Sequence, residues 1–276
     1  MKNIYWQRLF DENTKHVKNV EKRSDMPGDL QLALDHRDED VYGVFEADTL
    51  VGIALICPGE EAFISLYMMP EYRGRGIAGF VLKEWEEMLR QEGTTQIVTA
   101  YAKEFSGFMQ KRGYQRQFSS AYMKYAGEQY EVDASPVRQY QDADYHTVQA
   151  FHAKAFHEMR LQVGDFPDSV QEQPSEEERQ EWAATKEDRL VYVKDSRVVA
   201  YANVDGCELD GISVAPEQQG QGIGKQFAKC VCNYILDQGY SEISLFCVVG
   251  NKARRMYDQL GFKEVVVNEY GRKLLG

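Results

Sequence analysis

A ten-residue pattern occurs twice in this chain, 146 positions apart. The first copy reads Met69-Pro70-Glu71-Tyr72-Arg73-Gly74-Arg75-Gly76-Ile77-Ala78, and the second reads Ala215-Pro216-Glu217-Gln218-Gln219-Gly220-Gln221-Gly222-Ile223-Gly224. Each copy follows an apolar segment and opens an amphipathic one. A repeat in the same context marks two related halves. The spaced glycines give each half a loop able to turn backbone N–H groups toward an anion at a helix start. At 276 residues the chain has room for two domains of ordinary size.

The order of elements repeats as well. In the first half, residues 4–9, 41–45, 50–57, 62–69, 97–102 and 118–125 read as strands, with 41–45 and 50–57 joined as a hairpin. Residues 13–34 are polar and read as helical in parts. Residues 77–91 have helical spacing, with Ile77, Val81, Trp85, Met88 and Leu89 on one face and Gly93 as the stop. A short helix over 105–112 ends at Gly113. In the second half, residues 137–140, 190–193, 198–204, 207–214, 242–248 and 262–267 read as strands. Helices are expected over 144–159, after Ser175 (with Glu178 at the capping-box position), along Ile223, Phe227, Val231, Tyr234 and Ile235, and over 251–260. The polar stretch 127–135 is the expected boundary, which gives domains over residues 1–130 and 131–276.

The bulk numbers exclude several classes. Hydrophobic residues make up 43% of the chain, enough for packed cores. The net charge of −12 disfavours broad nucleic-acid binding, which needs a basic surface. Five cysteines in a long chain do not suggest a disulfide framework, and Cys230 and Cys232 have a spacing no zinc module uses. Buried free thiols in a reducing cytosol are the expectation. The N-terminal residues run into charge without an apolar stretch, and residues 50–57 are too short to span a bilayer. A cytoplasmic protein without nucleic-acid or membrane partners is expected, and the sequence leaves its oligomeric state open.

Gly74-Arg75-Gly76-Ile77-Ala78-Gly79 matches the dinucleotide fingerprint G-x-G-x-x-G. A Rossmann unit would place that loop after its first strand, whereas here several strands precede it, and the second copy lacks the third glycine. No lysine followed by Ser or Thr is present in the loop, so it is no Walker phosphate loop. The arrangement instead resembles the GNAT superfamily of acetyl-CoA-dependent N-acyltransferases, whose acyl-CoA motif is Gln/Arg-x-x-Gly-x-Gly/Ala. The resemblance covers nearly the whole chain. It implies a mixed α/β sheet fold in two tandem GNAT-like domains, with acetyl-CoA as acyl donor and an amine as acceptor. It also implies cofactor contacts from Gln219, Gly220, Gln221, Gly222, Ile223 and Gly224, and in the first half from Arg73, Gly74, Gly76 and Ala78.

The same resemblance separates the halves. The family's downstream pattern is similar to Asn251-Lys252-Ala253-Arg254-Arg255-Met256-Tyr257-Asp258-Gln259-Leu260-Gly261-Phe262, and counting back from Gly113 puts Met109 where the second half has Tyr257. Family practice implies that Tyr257 protonates the leaving thiolate, that a carboxylate near Glu208 serves as base, and that the main-chain N–H of Val214 receives the thioester carbonyl. Asp210 is placed on the same face as Glu208 by strand periodicity. Asn251 reads as a helix N-cap on its own chemistry, and the resemblance adds a contact to the cofactor arm. Tyr257 also reads as a core aromatic. His146, His152 and His157 read as surface or acceptor-pocket residues with no metal, and Phe151, Phe156, Trp182 and Tyr201 as core or acceptor lining. The expectation is an N-acetyltransferase active in its second half, the first half binding acyl-CoA without turnover or serving in packing. The alternatives are a non-catalytic acyl-CoA sensor or interaction module, or catalysis by the first half with another acid.

Overall fold

The structure is a computed structural model and describes residues 3–10, 26–27, 30, 33–34, 37–38, 40–164, 166 and 169–276. Most of residues 13–34, expected to be partly helical, lie outside the described residues. The chain forms two compact units. Unit 1 comprises Met1–Gln117 with Asn268–Gly276, and unit 2 comprises Phe118–Val267.

Unit 1 contains β1 (Ile4–Arg8), β2 (Val41–Glu46), β3 (Thr49–Cys57), β4 (Glu61–Met68), α1 (Ile77–Gln91), β5 (Gln96–Ala102) and α2 (Ser106–Gln110). Its sheet runs β1-β2-β3-β4-β5 and is completed by residues of β12 (Lys263–Leu274), paired antiparallel from Asn268↔Ala102 to Leu274↔Gln96. Among the described residues of unit 1 only β4 and β5 pair in parallel. The expected helical face of α1 is the buried one: Ile77, Val81, Trp85 and Leu89 pack with Ile64, Ile97 and Tyr114 on one side of the sheet. Leu9, Leu30, Ile53, Tyr67 and Met69 form a separate cluster.

Unit 2 contains β6 (Gln115–Tyr125, entering the unit at Phe118), β7 (Val137–Gln139), α3 (Tyr145–Val163), α4 (Glu176–Ala184), β8 (Arg189–Lys194), β9 (Arg197–Asp205), β10 (Glu208–Val214), α5 (Ile223–Asp237), β11 (Ile243–Val248) and α6 (Arg254–Gln259). Its strand order is β7-β8-β9-β10-β11-β6, and β10–β11 is its parallel pair. Phe227, Val231 and Ile235 of α5 pack with Leu209, Leu245, Tyr257 and Phe262 in one core, while Tyr145, Phe151, Trp182 and Tyr201 form the other.

The two sheets share one order, but each takes its last strand from the other half of the sequence. Strand β6 follows the first half yet pairs with β11, while the end of β12 follows the second half yet pairs with β5. Alternating side chains specify a strand, but any antiparallel edge of matching length satisfies its backbone, so local pattern does not name the partner. The stretch 127–135 is no free linker. Tyr130 exchanges hydrogen bonds with the Asn233 side chain, its N–H donating at 2.7 Å and its carbonyl accepting at 2.8 Å, which ties the segment to α5.

Smaller differences have local causes. Ser175 caps α4, its Oγ accepting from the Glu178 N–H at 3.1 Å, but the Glu178 carboxylate accepts from the Tyr145 hydroxyl at 2.6 Å. Among the described residues no helix is long and apolar enough to cross a membrane.

Candidate active site

Both glycine loops take the same shape. Gly74 and Gly76 have φ of 74° and 82°, and Gly220 and Gly222 have 76° and 83°. Left-handed residues alternating with ordinary ones turn successive N–H groups into one concavity. Gly76 and Gly222 are the N-caps of α1 and α5, and neither helix start carries a side-chain cap. A Cβ on Gly220 or Gly222 would meet nothing within 4 Å, so the space in front of this loop is open. Gly224, one residue into α5, is different: a Cβ there would lie 3.4 Å from the Val214 side chain.

The residue ahead of each glycine pair fixes the loop to its strand. Gln219 Nε2 donates to the Val214 carbonyl at 3.0 Å, and Arg73 Nε donates to the Met68 carbonyl at 2.9 Å. The Val214 carbonyl is therefore on the side of β10 away from β9. In an antiparallel ladder the N–H and C=O of one residue point the same way. Ala215, next along, donates its N–H to Val199 on β9 at 2.9 Å, so Val214 turns its own N–H toward the gap between β10 and β11.

The parallel ladder beside that gap is shorter in unit 2. There the parallel ladder is limited to Glu208↔Ser244, whereas β4 and β5 stay paired from Glu61↔Gln96 through Ile64↔Thr99. A bulge between Glu208 and Gly211 shifts the β10 register against β9, and the β3–β4 ladder has no such shift. Gly211, a glycine inside a strand, is the sequence signal for that bulge, and its equivalent in unit 1 is Ser65. The extra residue also interrupts the period-two argument that put Asp210 on the face of Glu208.

Glu208 is half-buried. Burial first, then the neighbouring Asp210 and Asp205 carboxylates, push its pKa up to about 7. Asp210 is exposed and accepts from Asn203 Nδ2 at 2.8 Å. Tyr257 is buried on α6 with its ring edge-on to Phe262 at 5.9 Å. Burial, reinforced by the Cys247 and Cys232 thiols, holds its hydroxyl protonated far above the usual phenol range. Met109 is buried at the corresponding place in unit 1. Asn251 accepts from the Ala253 N–H at 2.9 Å, which caps the turn into α6.

His152 is not a surface residue. It lies on α3 between Phe156 at 4.6 Å and Tyr201 at 5.1 Å, with Nδ1 2.9 Å from the Ser213 hydroxyl. Burial, then the Arg189 and Arg160 charges, lower its pKa to about 4, so it is neutral at physiological pH. Trp182 stacks on Tyr201 at 4.9 Å, and both are core, as is Phe151.

Each unit thus carries a spaced-glycine helix start beside a parallel strand pair. The Acetyltransferase (GNAT) family profile matches residues 3–114 and again residues 156–262. The chain belongs to the GNAT family. Among curated proteins none matches it by sequence. Solved GNAT structures do match in fold. A GCN5-related N-acetyltransferase from Sphaerobacter thermophilus aligns with a TM-score of 0.67 at 14% identity, over 100% of this chain and 96% of that one. A tandem GNAT protein from the clavulanic acid biosynthesis pathway gives 0.61 at 14%, over 99% of both chains. A putative acetyltransferase from Pyrococcus horikoshii gives 0.59 at 12%, over 99% and 90%. At these identities the likeness is one of fold, and it establishes the tandem GNAT architecture.

Proposed function

We propose that unit 2 transfers an acetyl or other short acyl group from acetyl-CoA directly to a primary amine in a ternary complex. The observation that carries this reading is the coincidence in one unit of an open glycine nest, a bulged strand whose parallel ladder ends early, a carboxylate poised near neutral pH and a buried tyrosine. Unit 1 has the nest without the bulge or the tyrosine. In this reading the N–H groups of Gly220, Gln221, Gly222, Ile223 and Gly224 bind the diphosphate at the positive end of α5. Gln219 holds the loop against Val214, and Asn251 holds the turn beside the cofactor arm.

The neutral amine attacks the thioester carbonyl, and its nitrogen lone pair forms the new N–C bond. The carbonyl π electrons move to oxygen, where the Val214 N–H stabilises the charge. The oxyanion collapses, the C–S bond breaks, and the sulfur leaves with its electron pair and takes the Tyr257 proton. The surplus ammonium proton reaches Glu208 through water, since Glu208 stands six residues before Val214 on β10, and a general base is most effective with a pKa near the working pH. Tyr257 regains its proton from solvent after the thiol departs. Unit 1, with Met109 in the place of the acid, binds acyl-CoA through Arg73, Gly74, Gly76 and Ala78 without turnover.

Tyr257→Phe tests the assignment. Thiol release should fall by about 10²-fold or more, the usual contribution of a general acid, while acetyl-CoA affinity stays within twofold of the parent. An unchanged rate removes Tyr257 from the mechanism.

A further inference from the structure

Strand β10 has two faces at the point where the thioester carbonyl would be received. Val214 turns its side chain toward α5, where a Cβ on Gly224 would lie 3.4 Å from it. The glycine nest opens that helix, and Tyr257 shares a core with Phe227 of α5. In the proposed reaction the diphosphate, the cofactor arm and the acid therefore take the α5 face. Neighbouring residues of a strand point to opposite faces. Ser213 accordingly turns the other way, paired with Tyr201 and in contact with α3. A carbonyl lying in the sheet plane at the Val214 N–H is attacked from above or below that plane, and the Ser213 side is the one the cofactor leaves open. Ser213 directly precedes Val214, so its hydroxyl stands beside an amine arriving there.

His152 holds that hydroxyl, with Nδ1 2.9 Å from Ser213 Oγ. The ring is fixed by Phe156 at 4.6 Å and Tyr201 at 5.1 Å. With Ser213 donating, Nδ1 is the acceptor and Nε2 carries the ring proton. Nε2 has no hydrogen-bond partner among the described residues and is not sealed from water. Cε1, between the two nitrogens, would stand 3.9 Å from a Cβ on Gly211. The ring thus lies over the bulged stretch that leads back along β10 to Glu208, where Gly211 contributes no side chain. Burial, then the Arg189 and Arg160 charges, keep it neutral at physiological pH. A neutral imidazole can take a proton on one nitrogen while it gives one from the other.

We propose that Ser213 and His152 carry the surplus amine proton from the reacting centre of unit 2 toward Glu208. This rests on the reading of unit 2 as the transferase. As the N–C bond forms, an ammonium N–H bond breaks toward Ser213 Oγ. The Ser213 hydroxyl proton passes to His152 Nδ1, and the Nε2 proton leaves through water to the Glu208 carboxylate. The ring stays neutral throughout. After the product departs, Nε2 takes a proton from water, Nδ1 returns its own to Ser213, and Ser213 gives one to water in the vacated gap. Ser213 touches the amine and is catalytic, while His152 acts through it as a positioning residue. The relay spans the six positions between Glu208 and Val214, which no direct contact of the amine with Glu208 does.

The test measures thiol release from acetyl-CoA with spermidine, glucosamine and phenethylamine, using whichever the parent accepts. Ser213→Ala should lower kcat at least tenfold and leave amine KM and acetyl-CoA affinity within twofold. Ser213→Thr, which keeps the hydroxyl, should restore most of the rate. His152→Phe, which keeps a ring against Tyr201, should lower kcat by a similar factor. The double variant Ser213→Ala, His152→Phe should lose no more than the worse single, because the two residues act as one chain. An unchanged kcat in Ser213→Ala, or a double loss equal to the product of the single losses, overturns the relay and leaves the transferase reading standing. If the parent neither binds acetyl-CoA nor turns over, the transferase reading fails and the relay with it. If acetyl-CoA binds and none of the three amines is accepted, nitrogen NMR of the histidine-labelled chain decides. An unprotonated Nδ1 of His152 at neutral pH, shifted by Ser213→Ala, keeps the assignment, and an Nδ1–H or doubly protonated ring ends it.

Discussion

Replacing Gly222 by alanine separates the structural cost of the nest from its ligand role. The backbone there has φ of 83°. An L-residue in that region costs roughly 1–2 kcal/mol, because its Cβ crowds the following carbonyl. Nothing lies within 4 Å of the new Cβ, so no packing clash adds to the strain. Gly239, just past the end of α5, is a matched control, with φ of 94° and equally open surroundings. Gly222→Ala and Gly239→Ala should destabilise unit 2 alike, lowering its Tm by about 2–8 °C for a body of this size. They should part on acetyl-CoA. The methyl of Gly222→Ala stands in the space the diphosphate oxygens need, and each lost hydrogen bond to a charged group costs about 1.5–3 kcal/mol. Affinity measured by isothermal titration calorimetry should drop about 10- to 100-fold for Gly222→Ala, and stay at the parent value for Gly239→Ala. Equal affinity in the two variants would refute the nest as the diphosphate site.

Three further outcomes follow from the same structure. In the proposed mechanism Glu208 takes the proton as a carboxylate, so the rate at saturating amine should rise with pH through about 7 and level off above it, and Glu208→Gln should lower the rate and flatten that limb. The sign for stability is opposite: a carboxyl with a raised folded pKa binds its proton better in the native state. The parent should therefore lose stability relative to Glu208→Gln as pH climbs from about 4.5 to 7, and denaturation across that window checks it. Removing residues 268–276 should unfold unit 1, although the deletion is at the far end of the chain. It takes away the β12–β5 ladder, the Lys273–Glu86 ion pair at 2.6 Å and the Arg90 bond to the Leu275 carbonyl at 2.8 Å. Hydrogen exchange should then show protection lost in α1 and β5 and kept in α5 and β11, whereas protection retained in α1 would contradict the unit division.

The parts of the fold written in local periodicity were legible in the sequence. Helices α1 and α5 begin and end where the spaced apolar residues and flanking glycines put them, and the glycine loops adopt the left-handed turns their composition allows. The exchange of β6 and β12 was not legible, since a strand pattern carries no address. The bulge at Glu208–Gly211 had a signal, a glycine within a strand, but its consequence, an early end to the β10–β11 ladder, depends on two partners distant in sequence. His152 gives the same helical signal whether it faces solvent or Tyr201, and its position above Gly211, whose added Cβ would lie 3.9 Å from the His152 ring, decides the matter.

The central claim, that chemistry belongs to unit 2 and its glycine nest, is tested most directly by turnover in two matched loop variants. Gly222→Val and Gly76→Val place the same obstruction in the two nests. With acetyl-CoA and an accepted amine, the account predicts thiol release abolished by Gly222→Val and retained by Gly76→Val. Loss in Gly76→Val with retention in Gly222→Val would contradict it.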